Sequence, residues 1–329
     1  MYLLSLLQRH GRRAAVVIAL GAAALQAHAT QTVNIGVQPA TQPIYIAKAA
    51  GLLAPLEAKY DVRFQLRSFS YGAPENQAMA AGELDLASAG MGPAVVAAAR
   101  LPVKLLGITI LEQTALFVAA DSPVRHITDL KGKRVAYPGE GSQQYPLLLK
   151  ALQDAGMKPS DIELFKTSGS QVSTLVEQGS ADAGITWDPH ISRALASGKA
   201  RVLLKAEKIL PLKSGHYLGN GFYGRTAFID ANPDLVREVM GAIIQAIDLI
   251  NREPEKAIAL WSKEIGIPAE VIRYSMKQGI SVYDADIVPS EGPLAAYTSF
   301  LKEAGILQQS DTPKLAPEFA ARALAERKP

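Results

Sequence analysis

The chain has 329 residues, of which 48% are apolar and 20% charged, and its formal net charge is +3. This length exceeds one domain of roughly 100–150 residues and predicts two lobes, while the composition excludes a disordered or fibrous protein. Cysteine is absent, which excludes disulfides, thiolate metal sites, a cysteine nucleophile and a lipid-modified N-terminal cysteine.

The first segment has the pattern of a secretion signal. Three arginines precede an apolar run over 14–25, and Ala27 and Ala29 supply the small-x-small pattern of a signal-peptidase site. We therefore expect residues 1–29 to be a cleaved signal peptide. The run is too short for a membrane anchor, which needs about 20 apolar residues.

The charge of the remaining chain is balanced. The predicted signal contains three arginines and no acid, which leaves 31 basic and 31 acidic side chains. This balance removes the electrostatic argument for nucleic-acid binding. A cysteine-free exported chain is most simply a diffusible periplasmic protein, and we expect a monomer.

After the signal, strand-like and helix-like patterns alternate. The predicted strands are 32–37, 62–69, 85–89 and 103–110. The predicted helices are 43–51, 75–81 and a third helix that begins at the loop 90–93. This order predicts an α/β sheet. Its helix N-termini meet at one edge, where open α/β sheets bind ligands.

Two extended segments, 115–120 and 219–228, bracket a second α/β stretch. They predict a chain that leaves the first lobe, builds a second and returns, with two strands as the hinge. Beyond residue 232 the pattern is mostly helical, with helices predicted at 235–251, 254–264, 268–277 and 293–304. We expect the tail from 308 to pack on the first lobe or to fray.

The segment 129–156 reads as a basic turn, a short strand, a glycine loop and a helix. Unpaired amides and the helix dipole at such a helix start favour an anion without any buried cation. Ser142 and the amides of Gln143 and Gln144 are placed to hold a sulfonate or a similar oxyanion. The alternative role for Ser142 is to cap its own helix.

Several of these motifs resemble one family, the periplasmic solute-binding proteins of ABC importers in the sulfonate, nitrate and taurine branch. Residues 129–136, the following Gly-Ser loop and 147–156 resemble the opening of that family's second lobe, and 184–189 resemble its Trp-x-Pro junction. The strand and glutamine at 35–38 are most similar to those of aliphatic sulfonate-binding proteins. The resemblance runs from about residue 33 to 307.

The resemblance implies a type II periplasmic binding protein, an α/β fold of two lobes. Each lobe is expected to be a mixed sheet flanked by helices, and a two-strand hinge joins them. Lobe I would comprise 30–113 and 220–329, and lobe II 114–219. The implied function is capture of a small organic anion, with an aliphatic sulfonate as first choice, in the cleft between the lobes, and its delivery to a permease and its ATPase. The resemblance implies no reaction and no cofactor.

Further candidate site residues lie in loops that the predicted topology turns toward the cleft. Trp187 could cover an apolar tail, and Asp188 could bind a cationic group or cap the next helix. An amide side chain at Gln38 is expected to reach the cleft from the first strand. The complete predicted set comprises Gln38, Ser70, Tyr71, Gly90, Met91, Gln113, Thr114, Ser142, Gln143, Gln144, Trp187, Asp188, Tyr217 and Asn220.

Other functions remain as alternatives. The loop at 90–92 is less polar than is usual in sulfonate-binding proteins, so taurine, nitrate, an aromatic carboxylate or a thiamine-pyrimidine precursor stay open as solutes. An enzyme or a sensor on the same fold is the alternative from another class. The G-x-G-x-x-G pattern at 219–224 is rejected as a dinucleotide loop because a strand-like segment, 225–228, follows it. The histidine spacings predict no metal site.

Overall fold

The computed structural model describes residues 30–327, so the predicted signal peptide lies outside the described residues. The chain from Thr32 onward forms one compact unit. Its strands, in chain order, are β1 (Gln31–Val37), β2 (Val62–Ser68), β3 (Leu86–Gly90), β4 (Val103–Glu112), β5 (Thr114–Ala119), β6 (Arg134–Tyr137), β7 (Glu163–Lys166), β8 (Ala183–Trp187), β9 (Ala200–Lys205), β10 (Leu218–Arg225) and β11 (Ser281–Val282).

Helices alternate with these strands up to β10 and dominate after it. In chain order they are α1 (Pro43–Ala49), α2 (Ala54–Tyr60), α3 (Gly72–Ala80), α4 (Met91–Arg100), α5 (Gln144–Asp154), α6 (Gly169–Glu177), α7 (His190–Ala196), α8 (Ala206–Ile209), α9 (Thr226–Ala231), α10 (Pro233–Arg252), α11 (Pro254–Ile265), α12 (Ala269–Gln278), α13 (Glu291–Glu303) and α14 (Pro317–Ala325). None of the helices in the described range is long and apolar enough to cross a membrane.

The strands form two sheets, and both are mixed. The first sheet has the order β11-β4-β10-β3-β1-β2, and the second has the order β7-β6-β8-β5-β9. In the first, β1 and β3 are parallel while β10 runs antiparallel to β3 and β4. In the second, β6 is parallel to β7 and β8 while β5 is antiparallel to β8 and β9. The predicted two-lobe α/β fold with a mixed sheet in each lobe is confirmed.

Helix α10 packs on the first sheet because one of its faces is apolar. Its buried residues recur at three- and four-residue spacing, as in Val236, Met240, Ile243 and Ile247, so they form one apolar face. That face packs in a core shared with β1, α1, α11 and α14. Burying each such side chain stabilises the fold by roughly 1.5–3 kcal/mol before entropy is counted.

The chain passes between the sheets at two points close to the predicted ones. Strand β4 ends at Glu112 and β5 begins at Thr114, so one residue, Gln113, separates them. Glu112 and Gln113 have φ values of 65° and 72°, which turn the chain sharply. The return lies between β9 and β10. The exact boundaries of the two lobes remain a prediction.

A third segment joins the two sheets. Helix α12 packs on α7, which flanks the second sheet, and β11 pairs with β4 in the first. Between them, the carbonyl of Ile280 accepts the Gln113 N–H at 2.7 Å. Ile280 is buried in a cluster with Phe117 and Ile191 of the second sheet's core. Three segments of the chain therefore join the two sheets. They are the turn at Gln113, the return between β9 and β10, and the segment that connects α12 to β11.

One prediction is wrong at the end of β10. The segment 225–228, predicted as strand-like, contains the start of α9, because Phe228 and Ile229 turn into the first sheet's core. Dinucleotide binding is still disfavoured for another reason. Gly219, Gly221 and Gly224 lie inside β10, where a Cβ would approach neighbouring atoms to 2.6–2.8 Å, so these glycines serve strand packing.

The tail contains a helix that was not predicted from the sequence pattern. Helix α14 packs on α10, with Ala320 and Ala323 buried in the contact. Just before α14, Leu315 forms an isolated parallel β-bridge with Leu105 of β4. The tail from residue 308 was expected either to pack on the first lobe or to fray, and in the structure it packs on the first lobe.

Candidate functional site

A narrow cavity lies where loops of the two sheets face each other. Its volume is about 10 Å³, which is room for about one water molecule, so the facing loops are closed on each other here. Loops of the first sheet approach it after β1, before α3 and at the start of α4, while those of the second approach it at the start of α5 and the end of β8. The lining residues are Gln38, Tyr71, Gly72, Gly90, Pro93, Gln113, Ser142, Gln143, Gln144 and Trp187.

Eight of the predicted site residues therefore lie around one cavity, although their contact with a solute remains a prediction. Gly72 and Pro93 also line the cavity but were not among the predicted site residues. Gly72 is the first residue of α3, and Pro93 lies in the first turn of α4. Both helices follow loops that had been predicted to face the cleft, so extending each loop into the first helical turn would have found them.

The start of α4 is occupied by a side chain from the opposite sheet. The Met91 N–H donates to Gln143 Oε1 at 2.7 Å, and Gln143 Nε2 donates to Thr114 Oγ1 at 3.1 Å. Gly90 and Gly92 permit this approach, since a Cβ on either would lie 2.9 Å and 3.2 Å from Gln143 atoms. Gln143 thus bridges the cleft at the point where a helix N-terminus favours an anion.

Ser142 does not cap α5. Its hydroxyl donates to the Gly139 carbonyl at 2.7 Å, inside the glycine loop. Helix α5 begins at Gln144 without a side-chain cap, so its first N–H groups have no side-chain oxygen from Ser142 as partner. The capping role considered for Ser142 is therefore wrong. Because its hydroxyl proton is already donated, the Ser142 oxygen can only accept a further hydrogen bond.

Two buried N–H donors of the cavity have no hydrogen-bond partner among the described residues. They are Gln113 Nε2 and Trp187 Nε1, on side chains only 3% and 6% exposed. An unsatisfied buried donor costs free energy unless something in the site accepts from it. Both groups are suited to an oxyanion.

Gln38 is tied to a buried acid. Its Nε2 donates to Glu75 Oε2 at 2.9 Å. Glu75 is 0% exposed, and burial raises the pKa of this carboxyl to about 8. A group that ordinarily ionises near pH 4.5 is therefore mostly neutral at pH 7.

Asp188 lies outside the cavity lining. Its carboxylate accepts from Ser192 Oγ, from Ser275 Oγ at 2.7 Å and from Ser281 Oγ at 3.2 Å, and burial raises its pKa. Helix α7 begins after it without a side-chain cap hydrogen bond from the N-cap residue, Pro189. The carboxylate joins α7 to α12 and β11.

Other predicted site residues also lie outside the lining. Ser70 is exposed, one residue before Tyr71. Tyr217 is fully buried with its hydroxyl 2.8 Å from that of Tyr297, and Asn220 Oδ1 accepts from two hydroxyls of the first sheet. Met91 contacts the lining through its N–H to Gln143, and Thr114 Oγ1 accepts from both Gln143 Nε2 and Gln144 Nε2. The structure does not bring these side chains to the cavity.

Glu112 occupies the crossing between the sheets. Its Oε1 accepts from the Tyr217 N–H at 2.9 Å and lies 3.1 Å from His216 Nδ1, while its Oε2 accepts from the Glu207 N–H at 3.2 Å. Burial raises the pKa of Glu112. One ligand atom each from Glu112, Glu207 and His216 falls within 4.8 Å of the others. Both Glu112 oxygens already have partners, so these contacts account for the cluster without a metal.

Comparison with known proteins places the chain in a family. Residues 38–257 match the family model described as NMT1/THI5 like. A "Putative aliphatic sulfonates-binding protein" of Escherichia coli (strain K12) is 30% identical over 246 residues, which cover 74% of this chain and 74% of that protein. The taurine-binding periplasmic protein of the same strain is 26% identical over 266 residues, or 79% of this chain and 78% of that protein.

A solved structure agrees with the fold. The periplasmic aliphatic sulphonate binding protein SsuA from Escherichia coli matches with a TM-score of 0.71 at 27% identity, covering 85% of this chain and 95% of that chain. At this TM-score the two proteins share the overall fold described above. The chain therefore belongs to the NMT1/THI5-like family and has the fold of its periplasmic binding proteins.

Proposed function

We propose that this chain is the periplasmic solute-binding component of an ABC importer, and that its solute is an aliphatic sulfonate without an amino group. In this role it captures the solute between the two sheets and delivers it to a membrane permease and its ATPase. The family and its sulfonate-binding relatives support the general role. The chemistry of the cavity supports the solute.

The observation that carries the proposal is a cavity with neutral donors and no charged side chain in its lining. Two N–H donors there, Gln113 Nε2 and Trp187 Nε1, have no partner among the described residues. The N-terminus of α5 adds oriented backbone amides, whereas the first amide of α4, at Met91, already donates to Gln143. Such dipoles hold an oxyanion without the strong attraction of a cation, and a solute that must be released needs moderate attraction. The rings of Tyr71 and Trp187 suit an alkyl chain.

Taurine fits this cavity less well. Its ammonium would require a carboxylate, because a charge taken out of water needs a partner. Glu75, behind Gln38, is mostly neutral at pH 7, which leaves Asp188 and Glu112, the acids that adjoin Trp187 and Gln113 in the chain. Both are absent from the cavity lining and already accept hydrogen bonds from other residues. Nitrate would leave the aromatic side of the cavity without contacts.

The lining also supports binding without reaction. Ser142 has the one nucleophilic hydroxyl of an aliphatic side chain there, and it donates that proton to the Gly139 carbonyl. No histidine, lysine or acid lines the cavity to activate it. We propose capture and release as the whole chemistry of this site.

A thermal-unfolding panel tests this proposal on the chain without residues 1–29. Butanesulfonate at 100 times its Kd should stabilise the protein by about 2.7 kcal/mol, whereas taurine, nitrate and butanoate at the same concentration should stabilise it much less. Calorimetric titration then supplies the Kd. Equal stabilisation by taurine would refute the amino-free solute, and no response to any sulfonate would refute the proposed function.

A further inference from the structure

A buried carboxyl group lies directly behind the cavity. Glu75 is in the first half of α3, whose first residue, Gly72, lines the cavity. Its Oε2 accepts from Gln38 Nε2, but its Oε1 has no partner among the described residues. A Cβ on Gly36 would lie 2.8 Å from that oxygen, so the strand has to carry glycine at this point. None of the ion pairs found in residues 30–327 includes Glu75.

Among Glu75 and the ionisable groups that face it, Glu75 is the one that titrates near neutral pH. The phenols of Tyr45 and Tyr223, from α1 and β10, interact with it electrostatically. Burial raises the pKa of Tyr45 to about 12 and that of Tyr223 well above 10. Because no cation opposes the effect of burial, the Glu75 carboxyl holds its proton up to a pH of about 8.

The Gln38 backbone is fixed, so only its side-chain amide is free to turn. Its N–H donates to Gln42 Oε1 at 3.2 Å, and its carbonyl accepts from the Tyr45 hydroxyl at 3.2 Å. A carboxamide has a donor end and an acceptor end. The contact in the structure, Gln38 Nε2 to Glu75 Oε2, is the one that an ionised carboxylate makes, because such a group only accepts. A protonated carboxyl can instead donate to Gln38 Oε1 and release Nε2.

We propose that Glu75 is a positioning residue that couples solute binding to a proton: the protonated acid turns the Gln38 N–H donors toward the cavity, and the ionised acid withdraws them. This inference rests on the proposed function, because it concerns how the same site holds an oxyanion. The proton does not move to the solute. Anion binding therefore draws a proton onto Glu75 when the pH is above its pKa.

Calorimetric titration with butanesulfonate from about pH 6.5 to about pH 9.5 tests the coupling, since the sulfonate stays ionised throughout. If only the protonated form binds well, the affinity of the unmodified protein falls about tenfold by one pH unit above the Glu75 pKa. The same titrations in buffers of different ionisation enthalpy should show uptake of nearly one proton per solute at the high-pH end and none at the low end.

Two variants separate the Gln38 route from a simple effect of charge. Glu75→Gln should bind with an affinity that changes less than about twofold over this range, because nothing remains to titrate. Gln38→Ala should bind more weakly at pH 6.5 and also lose most of the pH dependence. The Gln38→Ala variant keeps Glu75, so it still tests the coupling even if Glu75→Gln fails to fold. Glu83→Gln, an exposed change one turn beyond α3, is the matched control and should keep the full pH dependence.

The outcomes distinguish this inference from the proposed function. Sulfonate binding that is independent of pH in the unmodified protein would overturn the coupling and leave the proposed function standing. Full pH dependence in Gln38→Ala would overturn the positioning role. Absence of sulfonate binding at every pH would instead overturn the proposed function on which the inference rests.

Discussion

The two tryptophans of the chain differ in what their indole N–H groups contact. Trp187 Nε1 has no partner among the described residues and lines the cavity. Trp261 Nε1 donates to the Gln42 carbonyl at 3.0 Å in the core behind β1. The same chemical group is thus available for a solute in one case and stabilises the fold in the other.

Replacing each tryptophan by phenylalanine should separate these roles. Trp187→Phe should weaken butanesulfonate binding by about 1.5–3 kcal/mol, the scale of a hydrogen bond to a charged acceptor. Trp261→Phe should leave the Kd unchanged and should lower the unfolding free energy by roughly 1–3 kcal/mol more than Trp187→Phe, because it leaves the Gln42 carbonyl unsatisfied. Calorimetric titration and urea unfolding measure the two effects. Equal losses of affinity in both variants would contradict the assignment.

The sequence identified many cleft residues but not their partners. Gln38 and Ser142 follow predicted strands at the binding edge, so their placement could be inferred from topology. Asn220 and Tyr217 could not, because their direction depends on register. Strand β10 has irregular pairing with β4 around Asn220, which breaks the simple alternation of faces along a strand.

At the scale of elements, α4 illustrates how a helix start becomes part of a site. Its N-cap is Gly90, which has no side chain, and its first residue gives its N–H to Gln143. A side chain at the cap would occupy the space in which the Gln143 amide lies. The helix is therefore capped across the cleft and not by its own loop.

A methyl group at the cap should disrupt this contact. In Gly90→Ala the new Cβ lies 2.9 Å from Gln143 Oε1, so we expect a loss of about 1–3 kcal/mol in unfolding free energy and weaker sulfonate binding. The control is Gly241→Ala in the middle of α10, where no atom lies within 4 Å of the added Cβ. It should stabilise the protein by roughly 0.5–1 kcal/mol through helix propensity. A Gly90→Ala protein as stable and as tight-binding as the original would refute the cross-cleft contact.

Periodicity predicted the long elements well and the short ones poorly. The helix expected over 235–251 is α10, which spans Pro233–Arg252, because its apolar face repeats over many turns. Helices α9 and α14 were not predicted. They have six and nine residues, and packing on α10 and the first sheet's core stabilises them more than their own sequences do.

At the scale of the whole molecule, the third joining segment ties the two sheets into one unit. The Asp188 carboxylate follows β8 of the second sheet and accepts hydrogen bonds from Ser275 of α12 and Ser281 of β11. Strand β11 in turn pairs with β4 of the first sheet. A buried carboxylate held by three hydroxyls therefore links elements that are distant in sequence, and the chain from Thr32 onward is one compact unit.

This linkage predicts how the protein unfolds. The unmodified chain should unfold in a single calorimetric transition whose calorimetric and van't Hoff enthalpies agree. Asp188→Ala leaves three serine hydroxyls without their acceptor, so we expect a loss of roughly 3 kcal/mol or more and a separation into two transitions, one for each sheet.

The matched control for this change is Asp154→Ala, which breaks an exposed ion pair with Lys150 on α5 of the second sheet. It should change stability by less than about 0.5 kcal/mol and keep the single transition, because exposed pairs contribute little. If Asp188→Ala also unfolds in one transition with agreeing enthalpies, the two sheets are coupled through other contacts. The sharp turn at Glu112 and Gln113 would then be the junction that makes unfolding cooperative.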